Sequence, residues 1–234
     1  MHLSDAQASR FYDLLDSLTV YANAAFGVTD RTRLLGPDGR FNPQERVAVH
    51  EKIWADPTII DDYIGDNPLG LPPRELAQMH RWKQRVTGPL PLIGFDDENR
   101  ALFLLGERRV AVQGITQDIT EVIVEQPPIF IHMTLLPFDD VIVYDSLAQP
   151  LPVELGPGWR AMLEGEAKEA TSRPIVERAD EFFELAKRVN AEREQADWER
   201  FQRQMERERW EREGSEPAVP GVHKGALAGL SEEE

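Results

Sequence analysis

Apolar residues in the first third of the chain recur at intervals of three and four, which is the period of an α-helix. Ser4 and Asn42 stand at the cap position before two of these stretches, and Asp56 stands before a third. A fourth stretch follows the breaker-rich run 66–73 and ends at Gly88. The pattern predicts an amino-terminal third made of helices that bury their apolar faces together.

The period changes from that of helices to that of strands after Gly88. Runs 101–105 and 108–113 flank the two-residue loop Gly106-Glu107. Glycine takes without strain the positive φ that a type II′ turn requires at its first central position. These residues predict a β-hairpin whose second strand has one buried and one solvent-exposed face.

Two further apolar runs predict the centre of a sheet. Residues 129–136 are apolar on both faces apart from a histidine and a threonine, which is typical of a central strand, and residues 141–144 are its predicted partner. Because proline lacks the amide hydrogen that a central ladder needs, Pro137 predicts a turn over residues 137–140. Residues 150–155 could add an edge strand.

The carboxy-terminal part is predicted to form a long helix. An apolar stripe begins near Pro174, runs to Val189, and then shifts to Trp198, Phe201 and Met205 among glutamates and arginines. Beyond this helix, glycine, proline and terminal glutamates predict a tail without regular structure.

These elements together predict an α+β fold. It has amino-terminal helices, a central antiparallel sheet of five to six strands that forms a twisted sheet or small open barrel, and a long carboxy-terminal helix. Residues 1–172 are the predicted helical and sheet core, 173–213 the long charged amphipathic helix, and 214–234 a flexible acidic tail. One compact domain with extensions suits a chain of 234 residues.

Charge and cysteine content narrow the classes of function. The chain has 26 Lys and Arg against 42 Asp and Glu, a net charge of −16, which repels phosphate backbones and anionic membranes. It has no cysteine, which excludes disulfides and thiolate ligands and favours a cytoplasmic setting. No window approaches the roughly 18 apolar residues of a membrane span. We expect no membrane association and no cofactor.

The densest basic residues form a candidate basic patch. Arg81, Lys83 and Arg85 are close in sequence, and Arg108 and Arg109 follow in the predicted hairpin. Phosphate binding requires several such side chains to converge on one surface. A nucleic-acid-associated module is one alternative function, although the net charge disfavours it.

Carboxylates around the predicted 137–146 hairpin are a second candidate cluster. Asp139, Asp140 and Asp145 flank its strands, and His132 lies in the preceding strand. Carboxylate oxygens hold hard cations, so a metal-assisted hydrolase is another alternative. Aspartate is also favoured in turns because it bonds nearby amides, and this structural interpretation is the stronger one. Asp145 follows four apolar residues, and we predict that a buried hydrogen bond holds it.

One histidine-glutamate pair has the beginning of a zinc-protease motif. His50 and Glu51 match the first two positions of that motif, which needs a second histidine four residues after the first. Trp54 stands there instead. The sequence therefore predicts no metal ligand set.

Residues 53–158 resemble a recurring set of bacterial and archaeal proteins that have no assigned activity. The features that carry the resemblance are Asp66-Asn67-Pro68, Trp82-Lys83, Val112-Gln113-Gly114-Ile115, Leu135-Leu136-Pro137-Phe138 and Val141-Ile142-Val143-Tyr144-Asp145. Some members also carry a cysteine-rich zinc tail of the kind attached to the secretion ATPase, which this chain lacks. Members often have glycine after the aspartate, where this sequence has Ser146. The resemblance implies that helices and a compact sheet form one unit.

The leading interpretation is a non-enzymatic interaction or adaptor protein. Trp198, Phe201 and Met205 lie at helical spacing, which is typical of side chains that anchor a partner helix. That partner could be another protein or a second copy of the chain. The alternative is that the three side chains pack back on the core of their own chain.

Overall fold

The structure, a computed structural model, describes the backbone of residues 1–151 and 156–213, and the side chains of these residues up to 207. The predicted tail, 214–234, lies outside the described residues, as does most of the predicted edge strand, 150–155. The chain divides into two units, Met1–Ala191 and Glu192–Glu234.

The described residues form eight α-helices. These are α1 (Asp5–Phe26), α2 (Arg31–Leu34), α3 (Pro43–Ala55), α4 (Thr58–Asp66), α5 (Pro73–Arg81), α6 (Ile119–Val122), α7 (Pro157–Ala170) and α8 (Ala179–Glu213). Two of the predicted caps are present, since Ser4 forms a capping box with Gln7 and the Asn42 side chain accepts a hydrogen bond from the amide of Gln44. The third is wrong, because the residue at the cap position of α4 is Pro57 and not Asp56.

Five antiparallel strands of the described chain form a curled sheet. They are β1 (Val86–Phe95), β2 (Ala101–Leu105), β3 (Arg108–Val112), β4 (Ile129–Phe138) and β5 (Val141–Pro150), in the order β3-β2-β1-β4-β5. Just after β3, the amide of Gln113 donates to the carbonyl of Ile142 in β5 at 2.8 Å, so the two edges approach each other and the sheet becomes a half-barrel. The predicted α+β fold is confirmed.

An aromatic cluster joins the amino-terminal helices to the sheet. The ring of Phe11 on α1 packs edge-on against Trp82 at 5.7 Å and against Phe138 of β4 at 5.2 Å, and all three side chains are fully buried. Such pairs add about 0.5–1.5 kcal/mol each beyond the area that they bury. The helices and the sheet therefore share one core.

The turn predicted at residues 137–140 is too long, because Pro137 lies inside β4. It pairs with Ile142 of β5, and the turn consists of Asp139 and Asp140 alone. The β1 ladder ends where Val86 pairs with Leu135, so β4 has a strand neighbour on only one side at Pro137. A proline there removes no hydrogen bond from a central ladder.

Two predicted helix limits are also wrong. The fourth helix ends at Arg81 instead of reaching Gly88, because a 3₁₀ turn follows it and β1 begins at Val86. The last helix begins at Ala179 and not near Pro174, because Val176 pairs with the backbone of β3. Within the described residues, no helix is both long and apolar enough to cross a membrane.

Candidate functional site

A pocket of about 310 Å³ lies between α3 and the strands β1, β4 and β5. Helix α3 contributes His50 and Trp54 to its wall, β4 contributes His132, and β5 contributes Asp145. Asp145 and His132 were both candidates from sequence, whereas His50 and Trp54 entered only in the excluded zinc motif. The pocket is the place where the structure brings these polar side chains together.

Asp145 is a buried carboxylate that is held by three donors. Its Oδ2 atom accepts from the indole Nε1 of Trp54 at 2.7 Å and lies 3.2 Å from Nδ1 of His50. Its Oδ1 atom accepts from the amide of Leu147 at 3.3 Å. The predicted buried hydrogen bond is confirmed. Burial, together with the nearby charges of Tyr12 and Asp145, raises the pKa of the neighbouring Tyr144 hydroxyl.

His50 is fixed at both ring nitrogens. Nδ1 contacts Asp145, and Nε2 lies 3.1 Å from the hydroxyl of Thr19, which itself donates to the carbonyl of Leu15 at 2.7 Å. The imidazole is 1% exposed, so it connects α1 to β5 through the interior. Because both nitrogens have partners within the chain, His50 positions Asp145 and has no free nitrogen for a ligand.

A bulge in β5 places Asp145 in this position. From Met133 to Leu135 β4 advances two residues, while their partners in β5 run from Ala148 to Tyr144, which is four residues. Ser146 stands in this bulge with a φ of 66°, in the left-handed region that favours glycine. Glycine would adopt the same conformation without strain.

Replacing Ser146 with glycine is expected to raise the free energy of unfolding by about 0.5–1 kcal/mol, because the left-handed conformation costs a residue with a Cβ more than it costs glycine. Ser9→Gly is the matched control, since Ser9 lies on the exposed face of α1, where glycine should instead destabilise by about 0.5–1 kcal/mol. Chemical denaturation of both variants checks the prediction. An equal decrease in the free energy of unfolding of both variants would contradict the prediction.

The rest of the polar lining comes from β1, β4 and β5. The hydroxyls of Thr87 and Thr134 lie 3.0 Å apart across paired strands, and His132 stands opposite Gln149 in the β4–β5 ladder. Within the part of the chain that the structure describes, neither His132 nor Gln149 has a side-chain hydrogen bond. Both residues line the pocket.

The other two predicted acids, Asp139 and Asp140, lie at the tip of the β4–β5 hairpin. The carboxylate of Asp139 receives two hydrogen bonds from Arg10, at 2.8 and 2.9 Å, and its backbone amide donates to Gln78. The carbonyl of Asp140 accepts from the amide of Ala179. Among the described residues, no group of three or more His, Asp or Glu is placed to hold a metal ion. The structure therefore separates these acids from the pocket.

The five residues of the candidate basic patch each contact acceptors of their own chain. Arg81 pairs with Asp180, and Lys83 pairs with Asp61. The guanidinium of Arg85 donates to the carbonyl of Trp54. Arg108 and Arg109, on β3, donate to carbonyls between residues 170 and 174. The patch is thus divided between the start of β1 and the sheet edge.

The three candidate partner-binding residues lie on α8, in the second unit. Trp198, Phe201 and Met205 are 58%, 52% and 42% exposed. The rings of Trp198 and Phe201 stack at 5.8 Å. The described side chains of this segment therefore present an apolar stripe to solvent.

Sequence reasoning missed two members of the hydrogen-bond network that includes His50 and Asp145, namely Thr19 and Trp54. Both lie at apolar positions of helical patterns, where a threonine or a tryptophan indicates core packing. The available signal was that a buried aspartate needs hydrogen-bond donors. The sequence does not show which residues supply them. Comparison of the chain with protein-family models, with curated proteins and with solved structures finds no match to any of them.

Proposed function

We propose that this protein is a cytoplasmic, non-enzymatic interaction protein whose α8 pairs with α8 of a second copy. The observation that carries the proposal is the exposed stripe of Trp198, Phe201 and Met205. Side chains three and four residues apart on a helix lie on one face, and exposed aromatic residues there are typical partner anchors. Burying them against another helix would remove apolar area from water.

The charges around the stripe support an antiparallel second copy as the partner. Residues 192–199 contain four acids and one base, a net charge of −3. Residues 200–207 contain three bases and one acid, a net charge of +2. An antiparallel pair places the acidic half of each helix beside the basic half of the other, whereas a parallel pair places like charges together.

The same arrangement aligns the apolar side chains. With the two-fold axis near Phe201, the Trp198 of each copy faces Met205 of the other. Three apolar side chains per helix make a small interface, and interfaces below about 1,200 Å² are typical of weak complexes. We therefore expect a reversible dimer with a dissociation constant in the micromolar range or above.

Sedimentation velocity over a wide concentration range tests this proposal. The weight-average mass is expected to rise from that of the 26.6 kDa monomer toward twice that value. Phe201→Glu should keep the protein monomeric throughout, because it places two carboxylates at the centre of the interface. High salt should weaken the wild-type dimer, since ion pairs between exposed charges are screened.

Ala196→Glu is the matched control for Phe201→Glu. It adds the same charge on α8, and the rotation of about 100° per residue places it on the side of the helix away from the stripe. This variant should dimerise like the wild type. A wild-type protein that stays monomeric at every concentration, or a dimer that survives Phe201→Glu, would contradict the proposal.

A further inference from the structure

We propose that the pocket beside Asp145 binds a small molecule with an aromatic-sized apolar body and a head group that donates hydrogen bonds, an amine or an alcohol. The site goes beyond the proposed function, because the described residues that line it lie between positions 47 and 149 and do not include Trp198, Phe201 or Met205. Its volume of about 310 Å³ lies at the lower end of the range of about 300–1,000 Å³ that is common for small-ligand pockets.

The walls of the pocket fit the apolar body of such a ligand. Trp54 and Val47 of α3 line the pocket together with Met133 of β4 and Leu147 of β5. The backbone of this lining is held by α3 and by paired strands, so the pocket is formed before a ligand arrives. An apolar ring placed here would be enclosed between an indole and flexible aliphatic side chains.

Asp145 supplies the hydrogen-bond acceptor for the head group. A carboxylate has about four acceptor positions, and the three donors from within the chain occupy two at Oδ2 and one at Oδ1. Oδ1 therefore keeps acceptor capacity in a residue that is 2% exposed and lines the pocket. The pair of hydroxyls on Thr87 and Thr134 lies on the same lining.

The charge of the lining selects against an anionic head group. Glu51 is exposed at the pocket, and no lysine or arginine is among the described residues that line it. Both ring nitrogens of His50 have partners within the chain, so they are not free to bind a carboxylate. An amine gains an attraction to Glu51 that an alcohol lacks, whereas a carboxylate meets repulsion from both acids.

Three probes of nearly the same shape separate these possibilities. They are 2-phenylethylamine, 2-phenylethanol and 3-phenylpropanoate, which differ in the charge of the head group. Each is titrated into the full-length protein while the indole N–H signal of Trp54 and the amide signal of Leu147 are followed by NMR. We expect saturable shifts with the amine and the alcohol, with millimolar or tighter dissociation constants, and none with the carboxylate.

Glu51→Gln tests the preference of the pocket for a cationic head group without changing a buried residue. It should weaken binding of the amine by a factor of about two to five, the effect of one exposed ion pair, and leave the alcohol unchanged. Glu121→Gln, an exposed acid on α6 away from the pocket, is the matched control and should change neither.

Filling the pocket tests its location. Ala55→Phe places a ring at the exposed edge of the pocket, and Val47→Phe places one deeper on the same helix. Both should abolish the shifts caused by the amine and the alcohol. Lys52→Phe adds the same ring at an exposed α3 position outside the lining and should leave binding intact. The thermal midpoint of each variant shows that it is folded.

Two results obtained with the wild-type protein would overturn the proposal. One is that the carboxylate binds as well as the amine, which would show that the acids do not control the head group. The other is that none of the three probes gives a saturable shift at the two reporter signals. Shifts that persist unchanged in the folded Ala55→Phe protein would likewise place the binding elsewhere.

Discussion

Replacing Asp145 with alanine is expected to lower the free energy of unfolding by about 3–5 kcal/mol, the cost of removing one partner of a buried charged network. The change leaves Nδ1 of His50, the indole of Trp54 and the amide of Leu147 without their acceptor. Each buried donor left unpaired costs about 1–3 kcal/mol. For a chain of this length the thermal midpoint should fall by about 6–20 °C, which calorimetry measures.

Asp97→Ala is the matched control for this change, because Asp97 lies exposed in the turn between β1 and β2. It should alter the stability by less than about 0.5 kcal/mol. The loss of stability in Asp145→Asn should lie between those of the two alanine variants. The amide keeps one acceptor oxygen, but its NH₂ group faces a donor. If Asp145→Ala unfolds at the same temperature as the wild type, the carboxylate does not hold α3 against β5.

Replacing Gly114 with alanine is expected to cost about 3 kcal/mol or more, at or above the upper part of the range for overpacked sites. A Cβ at this position would lie 1.9 Å from the carbonyl oxygen of Gln117 and 3.0 Å from the amide nitrogen of Ile119. Both atoms belong to the backbone, so no side chain can rotate to make room. The turn from Gly114 to α6 would have to open, and the hydrogen bond between its carbonyl and the amide of Leu3 would be strained.

Gly165→Ala makes the same chemical change with the opposite expected sign. Gly165 lies within α7 and has no atom within 4 Å of a built Cβ. Alanine should stabilise this exposed helical position by about 0.5–1 kcal/mol. Urea unfolding of both variants gives the comparison. A Gly114→Ala protein as stable as the wild type would show that the turn accommodates a methyl group.

The fold could be predicted largely from periodicity, because each helix and strand has an apolar face that the pattern reveals. The hairpin at Gly106 is the clearest case, since glycine has a φ of 56° there between the two strands predicted. The errors occur where pairing with a strand that is distant in the sequence determines the local structure. Pro137 continues a strand because β1 has already ended, and Val176 is extended because β3 offers it an edge.

The candidate site could be predicted only in part. A carboxylate after four apolar residues indicated a buried Asp145, but its side-chain partners come from α3, more than ninety residues earlier in the chain. Neither His50 nor Trp54 differs from an ordinary core residue in the local pattern. The bulge at Ser146 could not be predicted either. A glycine would have indicated a positive φ, whereas a serine does not.

The bond between His50 and Asp145 also has a consequence for biosynthesis. The two residues are separated by 95 positions, so the ribosome completes α3 long before it adds the acceptor for its imidazole. At about 5–20 residues per second this interval lasts roughly 5–20 s. During that time α3 can form its own turns but cannot seat its buried face on β5. A nascent chain shorter than about 150 residues therefore exposes apolar surface that chaperones recognise.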